Sequence, residues 1–598
     1  MAGLDYAVIG NGAIASLIDQ KGRHVWCCYP RLDGDPLFHA LLGGDAPERG
    51  YFDAVLADFE RSEQYYLANS AIMVTLLHDR HGGTVRITDF CPRFRQFGRM
   101  FRPAMLMRRI ELVTGQPRLT VRLRPGFDYG ATVPNVIVGS HHVRYAGPTL
   151  AVRLTTDMPL SYLLQEESFA LGRPVHFVLG PDESLTTATA PLVDQFFKET
   201  MTYWQTWVAD LHIPFEWQEA VIRAAITLKL CTFDDTGGVV AALTTSIPEA
   251  PGSSRNWDYR FCWPRDSYFT ISALNRLSAT RTMENFLNYV VDTMLRDPDA
   301  EVAPLFTIAP GMDTQEQIAT ALPGYKGIGP VRIGNAARGQ RQNDAYGAIV
   351  LSLVQMFFDA RLPARGDLTL YRRLCPLGRT AARIALQPDA GLWEFRTRES
   401  VHTFSAAMCW AALSRLGLIA RAVGEFAEAE AWDKQAAELR DEILARMVVP
   451  GEGWISGVLD APVLDASVLL LPEIGMIPAT STEFLNTLDV METRLMRDGF
   501  LLRYEAPDDF GPPETAFLIC SFWYVNALAM AGRRETARAL FETIIAHRNH
   551  AGLLSEDLDT KTGALWGNFP QTYSQVGLIV SAMRLSRSWE DGLWRGSS

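Results

Sequence analysis

Residues 255–267 read RNWDYRFCWPRDS, and the residue types gathered there are those that bind a polyhydroxyl ring. Two Trp, a Tyr and a Phe offer flat apolar faces, while three Arg and two Asp offer forked donors and acceptors. A sugar presents C–H patches and a rim of hydroxyls, which such a mixture meets when it lines one concavity. A solvated loop has no use for that much aromatic area, and an apolar core has none for that much charge. Taken alone, the stretch also reads as a stacked Arg/Trp domain interface.

Two further segments mix an acid with aromatics and arginine, GLWEFR at 391–396 and LRYE at 502–505, and a third, GLLSED at 552–557, sets two acids after a leucine pair. Cleaving a glycosidic bond needs two carboxyl groups in opposite states. One is protonated and gives its proton to the leaving oxygen; the other is ionised and activates water or attacks the anomeric carbon. Glu394 follows Trp393, and an indole pressed on a carboxyl disfavours its charged form, which suits the acid. Glu556 stands between Ser555 and Asp557, a more polar setting that suits the base. The structural alternatives are an ion pair of Glu394 with Arg396, a loop or capping role for Glu556, and an N-cap role for Asp266.

Secondary candidates follow by position. Gln342 and Asp344 are read as lying two residues apart within one helix, which puts them on different faces. Glu514 is read as opening the ETAFLICSFW helix, where the helix dipole favours an acid in any case. Tyr325 and Arg332 fall in a long loop that would rim the pocket, and the Arg31-Leu32-Asp33 loop is placed to reach over it.

The elements that must position these residues change character along the chain. Up to about residue 190, short runs rich in β-branched and aromatic residues (65–77, 84–89, 105–113, 119–123, 142–145, 150–155 and 175–179) alternate with turn clusters, as in an antiparallel sandwich. Gly10, Gly12 and Ala15 match a dinucleotide-binding fingerprint with Asp33 as its ribose acid. The helix that fingerprint demands is missing, because 13–18 runs into a turn and then HVWCC, so the segment reads strand, turn, strand. Residues 192–211 carry Phe196, Phe197, Met201, Trp204 and Trp207 at helical spacing. Eleven further helices follow, between 217 and 587, with a twelfth around 465–471. The expected architecture is therefore multidomain β + α: an N-terminal antiparallel β-sandwich (1–190), a linker helix (191–211) and a catalytic toroid of helix hairpins (212–598).

Bulk properties agree with a globular enzyme. The 598 residues are 48% hydrophobic and 21% charged, enough for several domains. A net charge of −12 gives no electrostatic reason to bind nucleic acid or an anionic membrane. No run approaches the length of an apolar membrane span, and the first residues lack a secretion signal. The eight Cys are scattered in no CxxC pairing, so neither a disulfide framework nor a zinc site is expected, and a cytoplasmic location is.

The motifs, taken together, resemble glycoside hydrolase family 15, which includes glucoamylases and bacterial trehalases. NWDYRFCWPRDS, GYKGIGPVRIGNAARGQRQNDAYG, GLWEFR, MCWAAL, LLRYE, ETAFLICSFW and GLLSEDLD…GNFPQTYSQ occur in the family's order across 255–575. The resemblance implies an (α/α)6 barrel for the toroid, with Glu394 as general acid and Glu556 as general base. It implies that Arg265 and Asp266 hold hydroxyls of the non-reducing glucose and that Arg503, beside Tyr504, is a further sugar ligand. Trp257, Trp263 and Trp393 become stacking walls, with Glu514 secondary. It further implies inversion, with the carboxyls roughly 6.5–9.5 Å apart, and neither metal nor cofactor. Ser405-Ala406-Ala407 stands where many trehalase-like members carry a Ser-Lys pair. The absence of that cation favours a glucoamylase acting on maltose-type α-1,4-glucosides, with an α,α-trehalase as the alternative. An inverting disaccharide phosphorylase and a non-catalytic glycan binder are more distant readings.

Overall fold

The structure, a computed structural model, describes residues 3–297 and 301–595. The glycine-rich N terminus is a hairpin: Tyr6–Gly10 pairs antiparallel with Ala15–Asp19, which pairs with His24–Tyr29. Asn11 fills the turn, its side-chain oxygen accepting from the Ala13 and Ile14 N–H groups at 3.0 and 3.3 Å. Those are donors a phosphate would need, so the turn is closed to nucleotides.

Two antiparallel sheets make the sandwich. One is seven-stranded and contains the N-terminal hairpin, Tyr51–Leu56 and Arg118–Arg124; the other is eight-stranded, with Leu106–Thr114 near its middle. Strand Arg118–Arg124 shows why they form a core: Leu119, Val121 and Leu123 alternate inward while arginines and Thr120 point away. Between the sheets, Phe52 packs on Phe177 (5.6 Å between ring centroids) with the Arg108 guanidinium 4.5 Å from its ring. The run expected as one strand over 65–77 is two, Phe59–Tyr66 and Met73–Asp79, turned back through Asn69 at φ 57°. Hydrophobicity runs through that turn, which hid it from the periodicity. The linker helix spans Thr189–Ala209 and packs on the second sheet.

The helical part is a closed ring of six outer–inner pairs. Outer helices Gln218–Leu230, Thr280–Tyr289, Leu368–Ile384, Phe426–Arg446, Thr482–Arg494 and Arg534–Ala546 alternate with inner elements. The inner elements are Pro264–Arg276, Asp344–Phe358, Thr403–Ala422, Ala466–Leu470, Leu518–Met530 and Thr572–Leu585. Closure comes from Thr572–Leu585, which packs on both Leu518–Met530 and Pro264–Arg276. Four inner helices, Asp344–Phe358, Thr403–Ala422, Leu518–Met530 and Thr572–Leu585, are largely apolar because they are covered on most sides; Thr403–Ala422 is long and apolar enough to cross a membrane, yet lies mostly buried within the ring. The fourth inner element is a single 3-10 turn, too short to show a helical period.

The sandwich braces the ring at the RNWDYRFCWPRDS segment. Arg260, fully buried, pairs with Asp258 (2.8 Å), donates to the Gly34 carbonyl (2.9 Å) and to the Tyr129 hydroxyl (2.6 Å), both from the sandwich. Trp26 donates across the same seam to the Leu243 carbonyl at 2.8 Å. The Arg31 loop contacts the Pro310 carbonyl and does not line the cavity described below.

Candidate active site

The loops on one rim of the ring enclose a cavity of ≈ 940 Å³, part of it open to solvent. Pro264 at the first helical position starts Pro264–Arg276 from an extended Trp263, so Arg265 and Asp266 fall in a first turn that faces the cavity. Arg265 sits in a nest of acceptors: Glu394 Oε1 at 3.5 Å, Gln342 Oε1 at 3.2 Å, Asp344 at 3.8 Å and Asp266 at 3.7 Å. Burial, with Glu394 and Asp344 nearby, pushes the Asp266 carboxyl up to about 6 against the pull of Arg265. Gln342 and Asp344 meet on one arginine because the helix begins only at Asp344, so helical spacing does not separate them.

Glu394 stands in a tight turn at φ 61°, its N–H bonded to the Gly391 carbonyl. Holding a residue with a Cβ in that region costs about 1–3 kcal/mol, and it aims the carboxylate inward. The Trp that matters is not its neighbour. Trp263 Nε1 donates to Glu394 Oε1 at 2.7 Å, while Trp393 donates to the buried Asp465 at 2.7 Å. Gln342 adds a donor at 3.3 Å. The Arg396 guanidinium turns to Glu316 and its backbone N–H donates to Asp509, so the alternative Glu394–Arg396 pair is not formed.

Glu556 is 1% exposed, on the strand-like segment leading into Asp557–Leu558. Its Oε2 accepts from the Asn568 N–H at 3.1 Å, and Gly567, at φ 74°, leaves it room: a Cβ there would sit 2.6 Å from that of Glu556. Oε1 accepts no hydrogen bond of good geometry, although the Tyr259 phenol lies near enough to favour the ionised form. Burial, then the charge of Glu249, pushes Glu556 up to about 8; Arg503 acts the other way. Asp557 beside it is driven up by the same causes. Tyr259 feels Glu556, Glu249 and Glu394 together, which places the two predicted catalytic acids around one phenol.

The inner wall is aromatic. Trp393, Phe517, Trp523 and Tyr573 line it, and among the described residues neither the Trp523 N–H nor the Tyr573 hydroxyl has a hydrogen-bond partner. Toward the mouth, Trp257 lies edge-on to Phe510 (5.2 Å between centroids), with the Arg332 and Arg396 guanidinium carbons 5.0 and 4.5 Å from its ring. Asp508 joins Arg255 (2.6 Å) to the Tyr504 hydroxyl and so folds loop 505–511 over this side.

Arg265, Asp266, Trp257, Trp263, Trp393, Glu394, Arg503 and Tyr504 thus share the cavity, with Glu556 buried behind Tyr259. Glu514 does not join them. It is exposed and off the cavity, because Ala516–Phe517 pairs as a strand and the helix starts at Leu518. Tyr325 is buried against Trp566 and is no rim residue. Ser405, Ala406 and Ala407 are buried in helix packing and do not line the cavity. Glu249, Tyr259 and Arg255 were not singled out as site residues; for Tyr259 and Arg255 the signal was their place in the 255–267 segment, while Glu249 lies in a run of small and β-branched residues that flags nothing. Among the described residues no cluster of three or more His, Cys, Asp or Glu is gathered as for a metal.

Residues 217–583 match the family model for glycosyl hydrolases family 15. A trehalase of Thermoplasma volcanium is 30% identical over 98% of this chain and 93% of its own length. A trehalase of Mycobacterium tuberculosis is 30% identical over 98% of this chain and 90% of its own. A bacterial glucoamylase complexed with acarbose has the same fold, with a TM-score of 0.69 at 13% identity, covering 98% of this chain and 94% of that one.

Proposed function

From the premise that the chain belongs to glycoside hydrolase family 15, we propose that it is an inverting α-glucosidase whose substrate is α,α-trehalose. The substrate reading is carried by kinship along the whole length with proteins named trehalase. The argument for maltose rested on residues 405–407, and their burial away from the cavity removes it.

One glucose fits among Arg265, Asp266, Trp263 and the unpartnered donors of Trp523 and Tyr573; the second stacks toward Trp257 and Arg396. Glu394 gives its proton to the glycosidic oxygen as the C1–O bond breaks. Water bonds to C1 from the opposite face and passes a proton to Glu556 Oε1. Only one of the two anomeric carbons is attacked, so trehalose yields one β-glucose and one α-glucose.

The test is glucose release from trehalose, maltose and maltotriose side by side in phosphate-free buffer, with the anomers followed by NMR in the first minutes. Equal β- and α-glucose, mainly from trehalose, is the expected result. β-Glucose mainly from maltose and maltotriose moves the enzyme to a glucoamylase with the same residues, and turnover only with added phosphate overturns hydrolysis.

A further inference from the structure

Around Glu556 three buried acids share one arginine, and the geometry shows which of them holds it. Glu249 reaches the cavity wall from the loop between Gln218–Leu230 and the 255–267 segment, 3% exposed. Its backbone is fixed on both sides: the N–H donates to the Arg255 carbonyl at 2.9 Å, and the carbonyl accepts from Thr515 Oγ1 at 3.0 Å. Its carboxylate is used twice. Oε1 accepts from Trp257 Nε1 at 3.0 Å, and Oε2 accepts from Arg503 Nη2. Arg503 therefore turns to Glu249, although Glu556 and Asp557 both lie within its field.

We propose that Glu249 is a positioning residue that fixes Arg503 and the Trp257 indole on the cavity wall and keeps the guanidinium off Glu556, leaving Oε1 free for water. The inference rests on Glu556 being the base. A carboxylate paired with arginine is a poor base, because the positive charge favours its ionised form. With Glu249 in place that stabilisation goes elsewhere, and a second negative charge is set beside Glu556. The groups facing Glu556 are Glu249, Arg503, Tyr259 and Asp557, with the Asn568 N–H. Of these Glu249 raises it and Arg503 and Tyr259 lower it, in line with the value of about 8. Arg503 is at the same time a ligand for sugar hydroxyls, so one acid serves both affinity and basicity.

Glu249→Gln tests this, since the amide oxygen can still accept from Trp257 while the charge on Arg503 is left unmatched. The variant is expected to lose at least about tenfold in kcat and to bind glucose at least about tenfold more weakly, as removal of a charged hydrogen bond implies. Its pH–rate limb near pH 8 is expected to move to lower pH. A limb that stays in place overturns the inference whatever happens to kcat, because a purely structural role would not move it. Should Glu249→Gln fail to fold, Glu249→Asp keeps the charge but withdraws it; glucose binding should weaken with the limb unmoved, and unchanged affinity overturns the idea. Glucose affinity, read from tryptophan fluorescence, needs no turnover. If the wild type cleaves neither trehalose nor maltose, the proposed function fails. Equal glucose affinity of wild type and Glu249→Gln sinks the role of Glu249 by itself.

Discussion

Trp263 and Glu394 show what a single side chain decides. The indole N–H at 2.7 Å orients the acid that must deliver a proton, from a position 131 residues earlier in the chain. Trp263→Phe keeps the ring and deletes the donor. Glu394 becomes charged only as its proton leaves, and a hydrogen bond to a charged group contributes about 1.5–3 kcal/mol, so kcat should fall about 10–100-fold with KM nearly unchanged. A KM effect without a kcat effect would mean that the ring, and not the N–H, does the work. Glu394→Gln and Glu556→Gln should each lower kcat at least about 10³-fold. The double variant should be scarcely worse than either, because the two act in one step; near-wild-type turnover in a single variant removes that residue from the assignment. The active form holds one proton, on Glu394, so activity falls at low pH when both carboxyls are protonated and at high pH when neither is. Burial and Glu249 raise Glu556 itself to about 8, so the base ionises only near there and the acidic limb of kcat/KM should lie near that value.

At the scale of elements, the ring supplies a rigid rim and the sandwich props its most charged segment. Arg260 is the prop: it is buried, paired with Asp258 and tied to Tyr129 and Gly34 of the sandwich. Arg260→Met leaves Asp258 with an uncompensated buried charge, at a cost of about 3–5 kcal/mol. The variant should melt lower and lose kcat/KM, and adding Asp258→Asn should recover part of the stability; an unshifted melting temperature in Arg260→Met would show that the seam is held elsewhere. All twelve ring elements, the one around 465–471 included, were legible as runs between Gly/Pro-rich loops. The element expected around 465–471 is a 3-10 turn, Ala466–Leu470, and Glu514 was misplaced because a two-residue strand has no signature before a helix. The Glu394 and Arg265 loops were visible through composition alone. What could not be read was pairing across the ring, such as Trp263 to Glu394 or Glu249 to Arg503, since nothing local in sequence links residues 131 or 254 positions apart.

Across the whole molecule, the same buried acids that make the site set how stability depends on pH. Glu556 at about 8 and Asp389 at about 7 are raised mainly by burial, and unfolding returns them to ordinary carboxylates near 4. Between pH 6.5 and 8 these two carboxyls therefore hold protons in the fold that the unfolded chain has released, and their contribution to stability falls as pH rises through that window. Each such proton contributes about 1.4 kcal/mol per pH unit until its folded value is reached. The buried His39 and His402, lowered to about 4, stay neutral in the fold while the unfolded chain still protonates them near their ordinary value of about 6.5, so they oppose the fall at the bottom of the window and cease to do so as pH rises past about 7. Lys229, lowered to about 8, stays largely charged in both states until the top of the window. Wild-type protein should therefore melt progressively lower from about pH 7 to 8 at a fixed heating rate. Glu556→Gln has no proton to lose there, so its melting temperature should fall less steeply and lie above that of wild type at pH 8. An inactive variant that melts no higher than wild type at pH 8 would show that Glu556 ionises freely in the folded protein. The opposite result would mean that the fold gives up stability to keep a strong base in a dry pocket, the usual bargain of an active site.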